Sequence, residues 1–343
     1  MTAQQWFAGL TATSLTLMNE SIDYSVDIDP LSLTEIGQGG EGRVYAFQDD
    51  PSLVYKEYHP TAGSPPSSLA LKRIIDLPNL CAPDEQAWIL DHTVWPLKAV
   101  IDGNRLRGYT MRKIPDAFHR KYGARNNPRQ ILCDWNYLSM RTRFLNNPNI
   151  ISEVPIPSAE NILELIRDLA KTLEILHRHD IIIGDLSGRN LLWTDTPTWR
   201  VLLIDCDSFR LRGVSAVNSS KQSPDWEDPE LQGGFTTQSS DIYKLGLAAF
   251  RAIWAVSTDR PTSPLPSSPT KIPNQFEDLT IRSTIGSSRP SASEWVRLIR
   301  ADETSEDSQE TIGEADIQIG SLPSSNNERL RPKITMNGPN KDT

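Results

Sequence analysis

The sequence contains few cysteines and no long apolar run, and each absence excludes a class of protein. Its three cysteines, Cys81, Cys133 and Cys206, are odd in number and lack metal-ligand spacing, which argues against a disulfide framework or a zinc site and favours a reducing compartment. No segment approaches the roughly 20 apolar residues that cross a bilayer, and the N-terminus shows no basic, apolar leader. We therefore expect a soluble, cytoplasmic protein with no membrane partner.

Concentrated basic charge is also missing. The 343 residues include 44 acidic and 35 basic side chains, a formal net charge of −9, whereas binding to nucleic-acid phosphates requires lysine and arginine clustered on one face. We expect no nucleic-acid partner. Residues 301–343 hold nine acidic and four basic residues and are rich in serine, so we predict a disordered acidic tail behind a folded body.

Hydrophobic periodicity divides the body into parts. Residues 1–29 show no sustained periodicity and are predicted to be an N-terminal extension. Residues 30–115 contain short strand patterns and one helix, Ser68 to Leu77, which together predict a small antiparallel sheet with one helix. Residues 116–300 are predicted to be mainly helical and include a long buried helix with apolar positions from Ile162 to Leu176.

A glycine-rich hairpin opens the first part. The segment Gly37-Gln38-Gly39-Gly40-Glu41-Gly42-Arg43-Val44 has the pattern G-x-G-x-x-G-x-V, and a strand follows it where a dinucleotide-binding loop needs a helix. Glycines without a Cβ let backbone N–H groups approach phosphates closely. The alternative is an ordinary turn. The candidate phosphate-binding residues are Gly37, Gly39, Gly40, Gly42 and Val44.

Four further residues suit phosphate and metal chemistry. Lys56 lies on the strand after the hairpin, where its ammonium reaches towards phosphates. Asp185 and Asn190 form a D-x-x-x-x-N loop after the long helix, and Asp205 ends an apolar strand about fifteen residues further on. This spacing lets Asn190 and Asp205 share metal ions while Asp185 orients a hydroxyl. Hard oxygen ligands suit Mg²⁺, with Mn²⁺ as the alternative ion; helix caps and a turn aspartate are the competing interpretation.

These motifs, in this order, resemble the eukaryotic-type (Hanks-like) protein kinase superfamily over roughly residues 31 to 300. Asp228-Pro229-Glu230 resembles the A-P-E motif, and Asp241 begins a segment similar to D-x-W-x-x-G. Arg289 stands where the family has an arginine that pairs with the A-P-E glutamate, here Glu230. The segment Ile204-Asp205-Cys206-Asp207-Ser208-Phe209, in place of D-F-G, resembles a divergent bacterial subgroup.

The resemblance implies an α+β, bilobal kinase-like fold, with a small antiparallel N-lobe carrying one helix and a larger, mainly α-helical C-lobe. It implies transfer of the γ-phosphoryl group of ATP to Ser/Thr hydroxyls of a protein substrate in bacterial signalling. Some members of the subgroup are encoded beside a von Willebrand A-domain protein and a metal-dependent phosphatase, which are candidate partners. The implied catalytic residues are Asp185, Lys56 and Arg189, and Met111 is an implied nucleotide contact.

Departures from the family pattern keep alternatives open. Gly184 replaces the arginine of H-R-D, Ser187 replaces a lysine for which Arg189 is a substitute, and the predicted helix after Lys56 has no glutamate to pair with it. Glu85 or Asp76 are alternative partners, unless Lys56 is held otherwise. A nucleotide-binding pseudokinase scaffold and a small-molecule kinase of the same fold are the competing functions.

Overall fold

The structure of the protein is a computed structural model, which describes residues 28, 33–59, 66–144, 147–214, 217, 223–231, 235–269, 272–286 and 288–297. The predicted acidic tail and nearly all of the predicted N-terminal extension lie outside these residues. Among the described helices, none combines the length and the apolar character needed to cross a membrane.

The first part of the chain forms a five-stranded antiparallel sheet with the strand order β1-β2-β3-β5-β4. The tight turn between the last two strands contains Gly103 at φ 60°, a conformation that favours glycine. The predicted strands of the N-terminal part are confirmed. Their bounds are β1 Leu33–Gln38, β2 Gly42–Phe47, β3 Leu53–Tyr58, β4 Pro96–Asp102 and β5 Arg105–Arg112.

Between β3 and β4 the described residues form two α-helices, where one helix was predicted. Helix α1 (Ser68–Asp76) is the predicted helix, and the Ser67 side chain caps it by accepting from the backbone N–H of Ala70. Helix α2 (Pro83–His92) was not predicted, because its buried residues are too few to give a helical apolar pattern. Its proline and two acidic residues in the first turn are the signal that indicates a helix start.

The segment after β5 differs from the helical structure expected beyond residue 115. It forms a three-stranded antiparallel sheet of β6 (His119–Ala124), β7 (Asn127–Leu132) and β8 (Ile150–Ser152), in the order β7-β6-β8. A two-residue turn joins β6 to β7, as in a tight hairpin. Because most residues of both hairpin strands are polar and at least partly exposed, no apolar alternation marks them in the sequence.

The rest of the described chain is mainly helical. The long helix α5 (Ala159–Arg178) begins with a capping box formed by Ser158 and Asn161, and α6 (Gln238–Trp254) is buried along nearly its whole length. A sheet lobe followed by a larger helical lobe is the predicted α+β, bilobal kinase-like fold. The helices are α3 Trp135–Ser139, α4 Arg141–Phe144, α5 Ala159–Arg178, α6 Gln238–Trp254 and α7 Asn274–Thr284, with residues 292–297 also helical.

Two small antiparallel pairs place the candidate site between the lobes. Strands β9 (Ile181–Ile182) and β12 (Arg210–Leu211) pair with each other, and β10 (Leu191–Thr194) pairs with β11 (Arg200–Leu203). The D-x-x-x-x-N loop therefore runs from β9 to β10, and the segment that contains Asp205 runs from β11 to β12.

Candidate active site

Asp185 lies half-buried in the loop between β9 and β10, and its carboxylate accepts three hydrogen bonds. Asn190 Nδ2 donates to Oδ2 at 3.0 Å and also to the Asp185 carbonyl oxygen at 2.9 Å. Ser223 donates to the same carboxylate twice, from its backbone N–H to Oδ1 at 2.9 Å and from its hydroxyl to Oδ2 at 3.1 Å. The carboxylate is therefore fixed in orientation and already holds an aliphatic hydroxyl.

The loop around Asp185 is held from below by helix α6. The buried Asp241 carboxylate accepts from the backbone N–H groups of Ile183 and Gly184 at 2.9 and 3.1 Å. Lys244, one turn further along α6, donates to the carbonyl oxygen of Gly184. Gly184 has φ 77°, a conformation that favours glycine. Both polar groups of the Gly184 backbone are thus tied to α6.

Asn190 and Asp205 lie at the same end of the β10–β11 hairpin. Asn190 directly precedes β10, Asp205 follows β11 closely, and Leu191 pairs with Leu203 between them. The Asn190 carbonyl oxygen also accepts from the backbone N–H of Ile204 at 3.0 Å. The predicted spacing of these two residues therefore places them near each other in space.

The donor chemistry of this pair fits a hard divalent cation. The amide nitrogen of Asn190 is used in bonds to Asp185, so its side-chain oxygen is the ligand atom that it offers. The Asp205 side chain is 44% exposed, and its only direct partner among the described residues is Lys56. Carboxylate and amide oxygens are ligands that Mg²⁺ accepts together with water and phosphate oxygens.

Lys56 lies on β3 inside the cleft, with its side chain almost fully buried. Its ammonium contacts Asp207 at 2.9 and 3.1 Å, Asp205 at 3.3 Å and Glu41 at 3.6 Å. Burial alone lowers the pKa of Lys56, but these three carboxylates more than offset it and raise the pKa above its usual value. Lys56 is therefore a cation in the folded protein.

Neither sequence-derived partner of Lys56 is correct. Glu85 lies in α2, where its two carboxylate oxygens are each 2.7 Å from a nitrogen of Arg178 and His179 at the end of α5. Asp76 ends α1, and its neighbouring charge is Lys72 on the same helix. The partner is Asp207, which follows Lys56 by 151 residues, so no local pattern reveals the pair.

The glycine-rich hairpin joins β1 to β2 and reaches over the cleft. Its tip is closed by a hydrogen bond from the backbone N–H of Gly39 to the carbonyl oxygen of Gly42. At Gly37, Gly39 and Gly40 an added Cβ would meet open space. At Gly42 it would lie 2.1 Å from the carbonyl oxygen of Glu57 on β3, so this glycine is required by the packing of the sheet itself.

The register of the sheet places the remaining nucleotide-contact candidates on one face. Val44 pairs with Lys56, Lys56 pairs with Tyr109, and Val54 pairs with Met111. Directly paired residues and residues two apart on a strand point to the same side of a sheet. Val44 and Met111 therefore share the face of Lys56, which is the face that meets Asp207.

Arg189 was predicted to be catalytic, but it makes no contact with Asp185 in the described part of the chain. Arg189 is exposed, and its charge acts on Asp134, whose carboxyl it favours in the ionised form. The neighbouring Ser187 is buried, and its hydroxyl has no hydrogen-bond partner among the described residues. The position of the missing lysine thus holds a small, unpaired polar group.

The segment resembling A-P-E is fixed by an arginine. Arg289 contacts Glu230 at 2.9 Å, as the resemblance implies, but it binds the buried Asp228 with both terminal nitrogens. Its guanidinium also lies over the ring of Tyr243 at 5.1 Å. The end of the segment that carries Ser223 is therefore anchored to the helical lobe.

A cleft between a small antiparallel lobe and a helical lobe, with these acids and a buried lysine, defines a kinase-like protein. No family model matches the chain. Over 233 residues it is 24% identical to protein kinase YegI of Escherichia coli strain K12 and equally to that of strain O157:H7. Each match covers 64% of this chain but only 31% of the relative. This distant similarity supports a kinase-like superfamily in general, and the chain spans less than a third of the length of these relatives.

Proposed function

We propose that this chain is an ATP-dependent protein kinase that phosphorylates Ser/Thr hydroxyls in the bacterial cytoplasm, as part of a signalling system. The observation that carries the proposal is the contact between Asp185 and the Ser223 hydroxyl at 3.1 Å. It indicates that the Asp185 carboxylate accepts an aliphatic hydroxyl in the cleft that also contains Lys56, Asn190 and Asp205. The distant similarity to a protein kinase supports the same proposal, that this chain is a kinase.

Each residue of the cleft has a separate role in the proposed reaction. Lys56, on β3, supplies a fixed positive charge for phosphate oxygens. The glycine-rich hairpin has open space where side chains of Gly37, Gly39 and Gly40 would otherwise stand, so phosphate oxygens can approach its backbone. Asn190 and Asp205 would hold Mg²⁺, which neutralises charge on the phosphates when bound. Val44 and Met111 provide apolar surface on the same face for the base.

Asp185 acts on the acceptor. Its carboxylate orients the hydroxyl and takes the proton as the hydroxyl oxygen bonds to the γ-phosphorus. The bond from that phosphorus to the bridging oxygen breaks, and ADP leaves with the electron pair. Positioning and electrostatics account for most of the rate in such a reaction, so the cleft needs no additional nucleophile.

The decisive experiment is transfer from γ-labelled ATP with Mg²⁺ or Mn²⁺, comparing the wild type with Asp185→Asn. General protein acceptors and a von Willebrand A-domain protein, the candidate partner implied by the resemblance, serve as substrates. We expect label on serine or threonine in the wild type and a loss of at least about a hundredfold in the variant. Phosphoamino acid analysis separates these acceptors from tyrosine.

Two results would replace the proposal. Tight binding of ATP without transfer under either metal would assign a pseudokinase scaffold. Label that appears on a metabolite and never on protein would assign a small-molecule kinase. As a control for folding, Asp185→Asn should retain the wild-type affinity for a non-hydrolysable ATP analogue.

A further inference from the structure

Lys56 is held by a carboxylate that comes from the β11–β12 segment. Both oxygens of Asp207 accept from the Lys56 ammonium, at 2.9 and 3.1 Å, and the Asp207 side chain is 1% exposed. The Tyr109 hydroxyl donates to Asp207 Oδ1 at 2.8 Å. The carboxylate is therefore oriented from two sides, by β3 and by β5, and the ion pair is closed to solvent.

Helix α1 contributes packing to this region but no charge. Its buried side chains are all apolar: Ala70, Leu71, Ile74 and Ile75. Its single acid, Asp76, lies at the helix end with Lys72 as its charged neighbour. In the next helix, Glu85 is paired with Arg178 and His179. Among the described residues, neither of these two acids contacts Lys56.

Of the two aspartates in the β11–β12 segment that contact Lys56, Asp205 makes the weaker contact. It reaches Lys56 with one oxygen at 3.3 Å, and its side chain is 44% exposed, whereas Asp207 is buried. An ammonium has three N–H donors. Two can be directed at Asp207, which leaves one for Asp205, for Glu41, or for a phosphate oxygen that replaces them.

We propose that Asp207 is the positioning residue of Lys56, so that the nucleotide-binding lysine is set by the segment after β11 and not by helix α1. This inference rests on the proposed function, because it assigns Lys56 to nucleotide phosphates. A buried ammonium without a partner is strongly unfavourable; Asp207 removes that cost before nucleotide binds. The cleft is therefore assembled at Lys56 whatever the position of α1, and movement of α1 does not switch this contact.

The test is a double-mutant cycle on affinity for Mg²⁺ with the β,γ-imido analogue of ATP, measured by calorimetry. Asp207→Asn should weaken binding about tenfold or more, because Lys56 loses its closest and most buried ionic partner. Lys56→Met should weaken binding by at least as much. The double variant Lys56→Met/Asp207→Asn should bind no worse than Lys56→Met, because Asp207 acts through Lys56.

Two further variants support the cycle. Glu85→Gln likewise removes a carboxylate from its two partners, Arg178 and His179, and it should leave affinity unchanged. Tyr109→Phe removes one hydrogen bond from Asp207; it should weaken binding less than Asp207→Asn does, and it should have no effect in the Lys56→Met background. The Tyr109→Phe series decides the question if Asp207→Asn fails to fold.

Three results would overturn the inference. The first is wild-type affinity in Asp207→Asn, and the second is a full additional loss in the double variant. The third is affinity of Asp207→Asn restored by raising Mg²⁺, which would make Asp207 a metal ligand. If the wild type binds the ATP analogue but transfers no phosphoryl group from ATP, the proposed function is overturned. The double-mutant cycle on affinity can still be interpreted in that case.

Discussion

Ser223 binds both oxygens of the Asp185 carboxylate, one through its backbone N–H and one through its hydroxyl. Ser223→Ala removes the hydroxyl bond and keeps the backbone bond, so Asp185 loses part of its orientation. We expect kcat to fall about tenfold, the equivalent of one hydrogen bond, with little change in the KM for ATP. Ser223→Thr should retain activity. Steady-state kinetics of phosphoryl transfer measure both.

Ser158→Ala is the matched control for this change. Ser158 caps α5 with the same kind of hydroxyl bond, and its loss should lower the free energy of unfolding by about 1 kcal/mol. Activity per folded molecule should remain that of the wild type. Equal loss of kcat in both variants would show that the Ser223 effect comes from stability alone.

Arg289 and Asp228 form a buried ion pair, with side chains 5% and 1% exposed. Arg289→Met should destabilise the protein by about 3–5 kcal/mol, because it leaves the Asp228 carboxylate buried without its partner. Adding Asp228→Asn removes that charge and should recover part of the loss. Urea unfolding gives the three free energies; a double variant less stable than Arg289→Met would contradict this account.

Asp134 gives the protein a specific pH dependence. Burial raises the pKa of Asp134 from 3.8 to about 6, against the bonds from Asn136 and the charge of Arg189. Between these two values the native state keeps a proton that the unfolded chain has released. The free energy of unfolding therefore falls as the pH rises through this window.

Asp134→Asn tests this effect, because asparagine keeps an oxygen to cap α3 and does not titrate. The variant should gain stability relative to the wild type between pH 4 and pH 7, by about 2 kcal/mol. Unfolding by urea at several pH values measures the difference. Parallel curves for the two proteins would show that Asp134 does not titrate in this range.

The parts of the site that could be predicted from the sequence are those whose residues lie close together along the chain or on adjacent strands. Asp185 and Asn190 belong to one loop, and Asp205 closely follows a strand that pairs with the strand beginning at Leu191, so a short pattern determines their proximity. The strands of the first sheet and helix α5 were likewise predictable, since their apolar residues recur at the period of each element.

What the sequence did not reveal depends on distant contacts. In the sequence, Asp207 stands where the D-F-G pattern has its glycine, and only the folded chain brings it into contact with Lys56. Ser223 is one of many serines in its segment, and only the folded chain brings it to Asp185. Helix α2 and the hairpin of β6 and β7 lack apolar periodicity because little of either is buried.

Lys244 is a fully buried lysine whose ammonium binds the carbonyl oxygen of Gly184. Burial lowers its pKa, and the carboxylates of Asp241 and Asp185 oppose that shift. Lys244→Met keeps the apolar length of the side chain but removes the hydrogen bond to the carbonyl oxygen of Gly184. We expect kcat to fall about tenfold, because the loop that carries Asp185 loses a support.

The same variant has a distinct signature in stability. A lowered pKa means that the folded protein loses this proton before the unfolded chain does, so wild-type stability rises with pH between the lowered value and the ordinary 10.5. In Lys244→Met that rise disappears, while the free energy of unfolding near pH 7 changes little, since removing a buried charge offsets the lost hydrogen bond. Loss of kcat without the change in pH dependence would mean that Lys244 is not buried as an ammonium beneath the loop.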